Sequence, residues 1–550
     1  MQKAMIKQLK QAVVATGNLV DRGTQTVTLV LSISTNHRRR ASVEFIRRDS
    51  FKQAWNTVAE RLANTAQQSW VRIETVQSTQ RLSREVFNKR LAETIRMNYW
   101  RKGVSFDQEF KTGLLEMEIN AQAFFKPGKN HKIGKNRSDS WVDYDQVEKY
   151  LKQRSGDAGI DIRQTPYIWT FTTVGVFTDG EQLWQLSAQE DCTKGIRIFT
   201  DPKQEIANYI DHGEQFLINQ IQADGKFIYG YYPSRQKVLS NYNYVRHFSS
   251  LYALLEAIPF TGRTENYAKV KAAIEWGLAH ATIEREGAIF IDDRGELKLG
   301  GQALMMLTLC KYQTVTHDDS FMPVLMKVFK GVPYFRQASG KLVHVLNHDL
   351  TLKDAYRIIY YEGEVVFALS RMYQLTQDQA VMDLVKKILD YMVANDYGKY
   401  HDHWISYAIN EALKVFPDNR DFMALGLKNV FIHLKFIEDR DTAYPTLLEL
   451  LDAAVKMTDL VKASGNEDLM ESYDLVRLRQ VLTYRAEYEL TTGGFFPEIA
   501  MYFYNPGKFI GGFYARHDSF RTRIDDCEHF LSGLINYYNY VYRQEKDLER

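Results

Sequence analysis

Four short stretches of the chain place acids, bases and arginines at the start of runs that are otherwise apolar. They are Arg246-His247, Tyr360-Tyr361-Glu362 with Glu364, His401-Asp402-His403-Trp404, and Arg523 with Asp525, Asp526 and His529. Gln302 opens a fifth, looser run. Glycosidic cleavage needs one carboxylic acid to protonate the leaving oxygen and a second carboxylate to activate water or attack, and burial beside like charge separates their pKa values. Glu362 and Asp402 are the expected acid and base, with Asp525 and Asp526 as the second carboxylate group and His247 as a further catalytic candidate. Proton abstraction beside a carboxylate, as in a lyase or an epimerase, instead needs histidine or tyrosine to move the proton and arginine or glutamine to hold the substrate. His247, His403, Tyr360 and Tyr361 suit the first role; Arg246, Arg523 and Gln302 suit the second. His529 is expected beside them, and Trp404 with Tyr360 would offer a stacking surface. The same groups would also serve as helix caps and ion-pair partners. Three consecutive residues on a helix cannot aim at one ion, so His401-Asp402-His403 is no ligand spacing, and neither a metal nor a cofactor is expected.

Groups so far apart in sequence meet only if the elements carrying them converge. From about residue 203 onward, charged amphipathic helical patterns beginning near 203, 266, 319, 377, 418 and 466 alternate with patterns apolar almost all round, beginning near 246, 300, 362, 402, 444 and 526. An amphipathic helix has one wet side, whereas a helix apolar all round must be enclosed. Six enclosed and six half-exposed helices in alternation predict two concentric rings, an (α/α)6 toroid. The inner phrases also align: "RHFSSLYALLEA" (246–257) matches "DHWISYAINEA" (402–412) on Tyr-Ala, and "YYEGEVVFALSRMY" and "DDCEHFLSGLINYY" fit the same frame. Five residues before each anchor stand His247, Asp402, Glu362 and Cys527. Their shared register predicts one floor at the inner-helix starts, where a ligand would bind. Tyr- and Phe-rich, Gly-punctuated segments at 225–247, 287–301, 340–363 and 493–520 read as β-hairpins or extended loops rimming that floor.

Residues 1–200 have another rhythm. Short β-branched runs at 26–34, 41–48 and 70–76 enclose a helical stretch at 50–66, and strand-like text returns at 167–180. The expectation is an α+β amino-terminal domain, 1–200, recognising substrate or a protein partner, followed by a toroid, 201–550, with β-hairpins at its mouth. No Walker A, GxGxxG, GxSxG or HExxH motif occurs. The basic stretches 37–48 and 126–137 read as solvated faces.

Composition narrows the partners. With 70 Lys and Arg against 68 Asp and Glu, the net charge of +2 provides no field for nucleic acid. Three scattered cysteines make no disulfide framework, and no eighteen apolar residues run together, so a cytoplasmic protein without a membrane span is expected. Aromatic residues at 13%, with 33 tyrosines, suit an oligo- or polysaccharide partner.

On these phrases, residues 203–550 resemble the six-hairpin, (α/α)6-toroid proteins, which include toroid glycosidases, polysaccharide lyases and sugar epimerases. The resemblance implies a catalytic acid or base at the inner-helix starts and a carbohydrate-active enzyme acting on an acidic or cell-envelope glycan. A non-catalytic glycan- or partner-binding scaffold of a polymer-synthesis system is the alternative. "GGFYARHDSFRTRIDDCEHFLSGL" (511–534) is also similar to a phrase of protein prenyltransferase β-subunits, with Asp526 in the place of a zinc-binding histidine. That resemblance implies an isoprenoid-type toroid with a greasy central cavity.

Overall fold

The computed structural model describes residues 1–19, 25–94, 96–126 and 140–543, so nearly all of the basic stretch 126–137 lies outside the described residues. The chain forms two compact units. One comprises Met1–Asp201, Gly230–Val238 and Thr491–Thr522; the other comprises Pro202–Tyr229, Leu239–Leu490 and Arg523–Arg550. Of the segments expected at the toroid mouth, all of 493–520 and residues 230–238 of 225–247 therefore belong to the first unit.

The first unit is built on an antiparallel sheet of β1 (Val27–Ser34), β2 (Ser42–Arg48), β3 (Trp70–Ser83), β4 (Gly103–Ser105), β5 (Tyr167–Thr178) and β6 (Leu183–Gln185). Its order is β2-β1-β3-β5-β4, with β6 also paired to β5. Helices α1 (Lys3–Thr16) and α2 (Phe51–Ala63) bury Leu9, Val13, Trp55, Val58 and Leu62 against Leu29, Leu31, Val71 and Ile73 of the sheet. Ser50 starts α2 by accepting a hydrogen bond from Gln53 N, the usual cure for an orphan first-turn amide.

The second unit holds twelve principal helices in alternation. In chain order they are α3 (Pro202–Gln220), α4 (Tyr244–Thr261), α5 (Tyr267–Ala281), α6 (Leu299–Thr316), α7 (Met322–Phe329), α8 (Tyr361–Thr376), α9 (Gln379–Ala394), α10 (His403–Ala412), α11 (Arg420–Phe431), α12 (Thr446–Ala463), α13 (Leu475–Gly493) and α14 (Ile524–Tyr538). The even-numbered helices pack each against the next, α4 to α6, α8, α10, α12 and α14, and α14 packs back against α4. The ring is closed. These six are the apolar patterns of the sequence; α6, for instance, buries Leu304, Met305, Met306, Leu307 and Leu309 in succession. Helices α3, α5, α7, α9 and α11 pack outside the ring against their even-numbered neighbours, and α13 is tied to α12 by Arg479 and Asp459 at 3.3 Å. The last outer helix starts later than 466 because Glu467–Met470 makes a separate 3₁₀ turn. Hairpins precede inner helices as expected: Thr282–Arg285 pairs with Ala288–Ile291, and Val345–Leu346 bridges Leu297–Lys298 and Leu352–Asp354.

Candidate active site

Side-chain volume decides how closely α8 and α10 approach. A Cβ on Gly363 would lie 2.6 Å from Ile405 N and 2.8 Å from Asp402 Oδ2, so only glycine permits this contact. It brings Glu362 and Glu364, on either side of the glycine, up to Asp402. The Asp402 carboxylate caps α10, with Oδ1 accepting from Trp404 N at 3.0 Å, while its own amide and carbonyl are bonded to the side chain of Asn429 from the outer ring, at 3.1 and 2.7 Å. Asp402 Oδ2 and one oxygen each of Glu362 and Glu364 are buried without a hydrogen-bond partner. Glu362 Oε1 stands 2.9 Å from His344 Nε2 and accepts from Tyr397 Oη at 3.4 Å. His344 Nδ1 accepts from Arg357 N at 2.9 Å, which leaves the ring proton on Nε2, facing the carboxylate. Burial pushes the Glu364 carboxyl up to about 8, opposed by Arg246 and helped by Glu362. Burial likewise raises Asp402 well above its usual range, with Trp404 N opposing and Glu364 and Glu362 adding.

A second group forms where α10, α12 and α14 begin. Glu449 Oε2 lies 2.8 Å from His529 Nδ1 and 3.7 Å from His403 Nε2, and the two imidazoles meet edge to face at 5.3 Å. His403 Nδ1 stands 3.5 Å from Asp402 Oδ1, which links the two groups. Burial holds His403 well below its ordinary range and lowers His529, so both rings are unprotonated near neutrality. Burial raises Glu449 well above the carboxylate range, with Glu256 and Glu489 adding. Glu528 is pushed up to about 8 by burial, against the pull of His529. One proton shared between Glu449 and His529 Nδ1 makes His529 Nε2 a donor or an acceptor as the chemistry requires. His403, Glu449 and His529 also present three ligand atoms within 4.8 Å of one another, a spacing that a divalent cation accepts.

The arginines are not free to hold an anion. Arg523 binds Asp526 at 2.8 and 3.1 Å and Asp525 at 3.1 Å, and Arg246 Nε stands 3.4 Å from the same Asp525 oxygen. Asp525 and Asp526 are therefore ion-pair partners here and not an unengaged second carboxylate. Tyr360 lies edge-on to His403 at 5.6 Å, whereas Tyr361 is buried, its ring filling the space a side chain on Gly300 would need.

Other expected members stand elsewhere. His247 bonds Tyr242 Oη at 2.8 Å and the Ala273 carbonyl of α5 at 2.9 Å, and burial lowers it to about 4, so it joins inner ring to outer ring. Gln302 is spent on Ile291 N, Ile289 O and Val328 O. His401 bonds Asn429 O and stacks on His433 at 4.1 Å. Trp404 is 97% buried, packed among Phe367, Tyr407 and His529, and so offers no open stacking face. With Glu449, Glu256, Arg371, Glu411 and Lys456 it lines a cavity of about 70 Å³ within the ring. Those charges are the opposite of a greasy isoprenoid pocket.

Sequence reasoning overlooked Glu449, Glu528 and His344. The signal for Glu449 was present in "TLLELLDAAV", where two carboxylates sit inside a helix with no wet side to put them on.

No family model matches the sequence, and no curated protein matches it. Among solved structures, a D-mannose isomerase is 11% identical, with 62% of this chain and 100% of that chain covered at a TM-score of 0.47. A cellobiose 2-epimerase from Bacillus thermoamylovorans is 11% identical, with 62% and 99% covered at 0.47. An inactive variant of an α-1,6-mannanase of Salegentibacter sp. in complex with α-1,6-mannotetrose is 10% identical, with 60% and 98% covered at 0.43. These are (α/α)6 toroid enzymes. Likeness this distant says nothing of chemistry, and the closed ring stands on its own helix contacts.

Proposed function

We propose that the floor of the second unit is an acid–base centre acting on a neutral sugar, in the manner of an aldose epimerase or isomerase, with His403 and His529 as the proton-transferring pair. The observation that carries this is the meeting of two buried, unprotonated imidazoles over one carboxyl, each of the three residues on a different inner helix. A hydrogen on the carbon beside an open-chain sugar's carbonyl is the acidic one. His403 takes that proton, the electron pair moves toward the carbonyl oxygen as an enediolate, and His529 returns a proton to carbon from Nε2 as its Nδ1 takes the proton of the Glu449 carboxyl; transfer from His403 back to Glu449 restores the set. A neutral substrate suits a floor whose arginines are already paired and whose carboxyls outnumber them; a uronate would add like charge. In this scheme residues 201–550 carry the chemistry, and residues 1–200 recognise substrate or a partner.

The test is deuterium wash-in from D2O, followed by NMR, over a panel of aldoses and reducing disaccharides. Wild type is expected to exchange the hydrogen beside the carbonyl, and His403→Asn and His529→Asn to lose that exchange. Wild type that exchanges no hydrogen on any of them sinks the assignment. Glycoside hydrolysis is the second reading, favoured by one observation: Glu364 keeps its proton at neutral pH beside Glu362 and Asp402. Release of new reducing ends, abolished in Glu364→Gln, would establish it.

A further inference from the structure

The floor does not end at His403. Tyr360, edge-on to that histidine, places its hydroxyl 3.4 Å from the hydroxyl of Tyr444. The Arg440 guanidinium carbon lies 5.5 Å from the Tyr444 ring and 5.6 Å from the ring of Phe436, and Phe436 stacks on His433 at 4.4 Å. Phe436 is 43% exposed, Tyr444 39% and neighbouring Ile432 57%, in a molecule whose other aromatic rings are mostly covered. All belong to the connection between α11 and α12, a segment that sequence reasoning did not single out. Arg440 is fixed by its Nε donating to Thr442 Oγ1 at 2.8 Å. Around this strip the charges cancel locally: Lys435 pairs with Asp439 at 2.9 Å, and Glu438 with Arg477.

We infer that Tyr444, Arg440 and Phe436 form an outer subsite for a neutral oligosaccharide whose reducing-end sugar occupies the floor. The inference rests on the proposed sugar chemistry and deepens it by naming the substrate class. Rings, hydroxyls and a guanidinium in alternation match a sugar chain, which presents apolar C–H patches between hydroxyls, better than they match a protein helix, which needs a continuous apolar stripe. Apart from the single guanidinium of Arg440, which lies against two rings, the neighbouring charges are paired, and that suits a neutral chain. The strip joins the floor through Tyr360, which touches both His403 and Tyr444, so a chain whose end sugar occupies the floor would reach it.

The probes are glucose and mannose against cellotetraose, maltotetraose and mannotetraose, titrated calorimetrically into His403→Asn so that no probe is consumed. At least one tetrasaccharide is expected to bind about tenfold tighter than its monosaccharide, the effect of two added ring contacts. The double substitution Tyr444→Ala with Phe436→Ala should bring that ratio to about one and leave the monosaccharide affinity unchanged. Arg440→Gln, which keeps both rings, should lower the ratio about threefold. No length dependence in His403→Asn with the strip intact, or a double variant that keeps it, overturns the inference. So does a dimer in solution that the double variant dissolves without any length dependence, since the strip would then be a protein interface. Deuterium wash-in without length dependence defeats this inference alone; length dependence without wash-in defeats only the proposed proton chemistry; binding of no probe defeats both.

Discussion

Both units bury charge, and they do so in opposite ways. In the first, Arg72 pairs with Glu74 at 2.9 Å, Arg197 with Glu498 at 2.9 Å and Arg154 with Glu118 at 2.8 Å, the first two through both arms of the guanidinium fork. In the second, Glu362, Glu364, Asp402, Asp525 and Glu528 each keep one buried oxygen without a hydrogen-bond partner. Among the described residues, no carboxylate oxygen of the first unit is left in that state. A buried pair holds strands and loops in place and is inert as an acid or base. Burial makes Glu364, Asp402 and Glu528 retain their protons above the usual carboxylate range, and that readiness is what proton chemistry uses.

The contrast can be broken or sharpened in four ways. The largest effect is expected at the floor: His529→Asn or His403→Asn should lower turnover roughly 10²- to 10⁴-fold, with little change in denaturant stability. Steady-state kinetics beside urea unfolding reads both quantities. In the first unit the same logic runs through stability. Arg197→Met strands Glu498 and should cost about 3–5 kcal/mol in urea unfolding, whereas adding Glu498→Leu should recover most of the loss. If the single change costs nothing, the pair is not what holds its unit together.

Third, Glu364 keeps its proton up to about pH 8 in the folded chain but releases it near 4.5 when unfolded. The unfolded state then loses a proton that the folded state keeps, so stability falls as pH rises from 4.5 to 8, by at most about 1.4 kcal/mol per pH unit for this group. Glu364→Gln should therefore stabilise at pH 7 by about 1–3 kcal/mol and flatten that slope. The smallest effect is the mirror image. Burial opposes ionisation of Glu116, but Arg101 and Arg516 prevail and hold its carboxyl below its ordinary value. Its contribution is present above the unfolded value and is lost as pH falls below it. Hydrogen exchange resolved by peptide should show acid loosening the first unit around Glu116 and leaving the floor protected, and a common slope for both regions would erase the distinction.

The ring was readable because a helix apolar on every side has no stable place except inside. Inner helices expected from 246, 300, 362, 402, 444 and 526 begin at Tyr244, Leu299, Tyr361, His403, Thr446 and Ile524. The floor was half readable. Glu362, Asp402, His403, His529, Arg246 and Arg523 stand in it, yet His247, which shares the register of Glu362 and Asp402, turns to α5 instead. Register along a helix fixes height; direction changes by a hundred degrees per residue, so equal register on differently tilted helices does not mean a common target. Glu449 escaped although it stands in the first turn of its helix, because Thr446, Leu447 and Leu448 ahead of it carry no charge to mark that turn. Ion pairs of the arginines with the aspartates were the plainer expectation and are what forms, Arg523 within its own first turn and Arg246 where the first inner helix meets the last.

That meeting has a consequence in time. The Arg246–Asp525 bridge joins the first and sixth inner helices, and His529 lies on the later of the two. A ribosome delivers His403 and Glu449 well before it delivers His529. Until α14 docks, the unfinished ring lacks His529 and the proposed proton-transferring pair is incomplete. Closure of the ring and completion of that pair are then a single event.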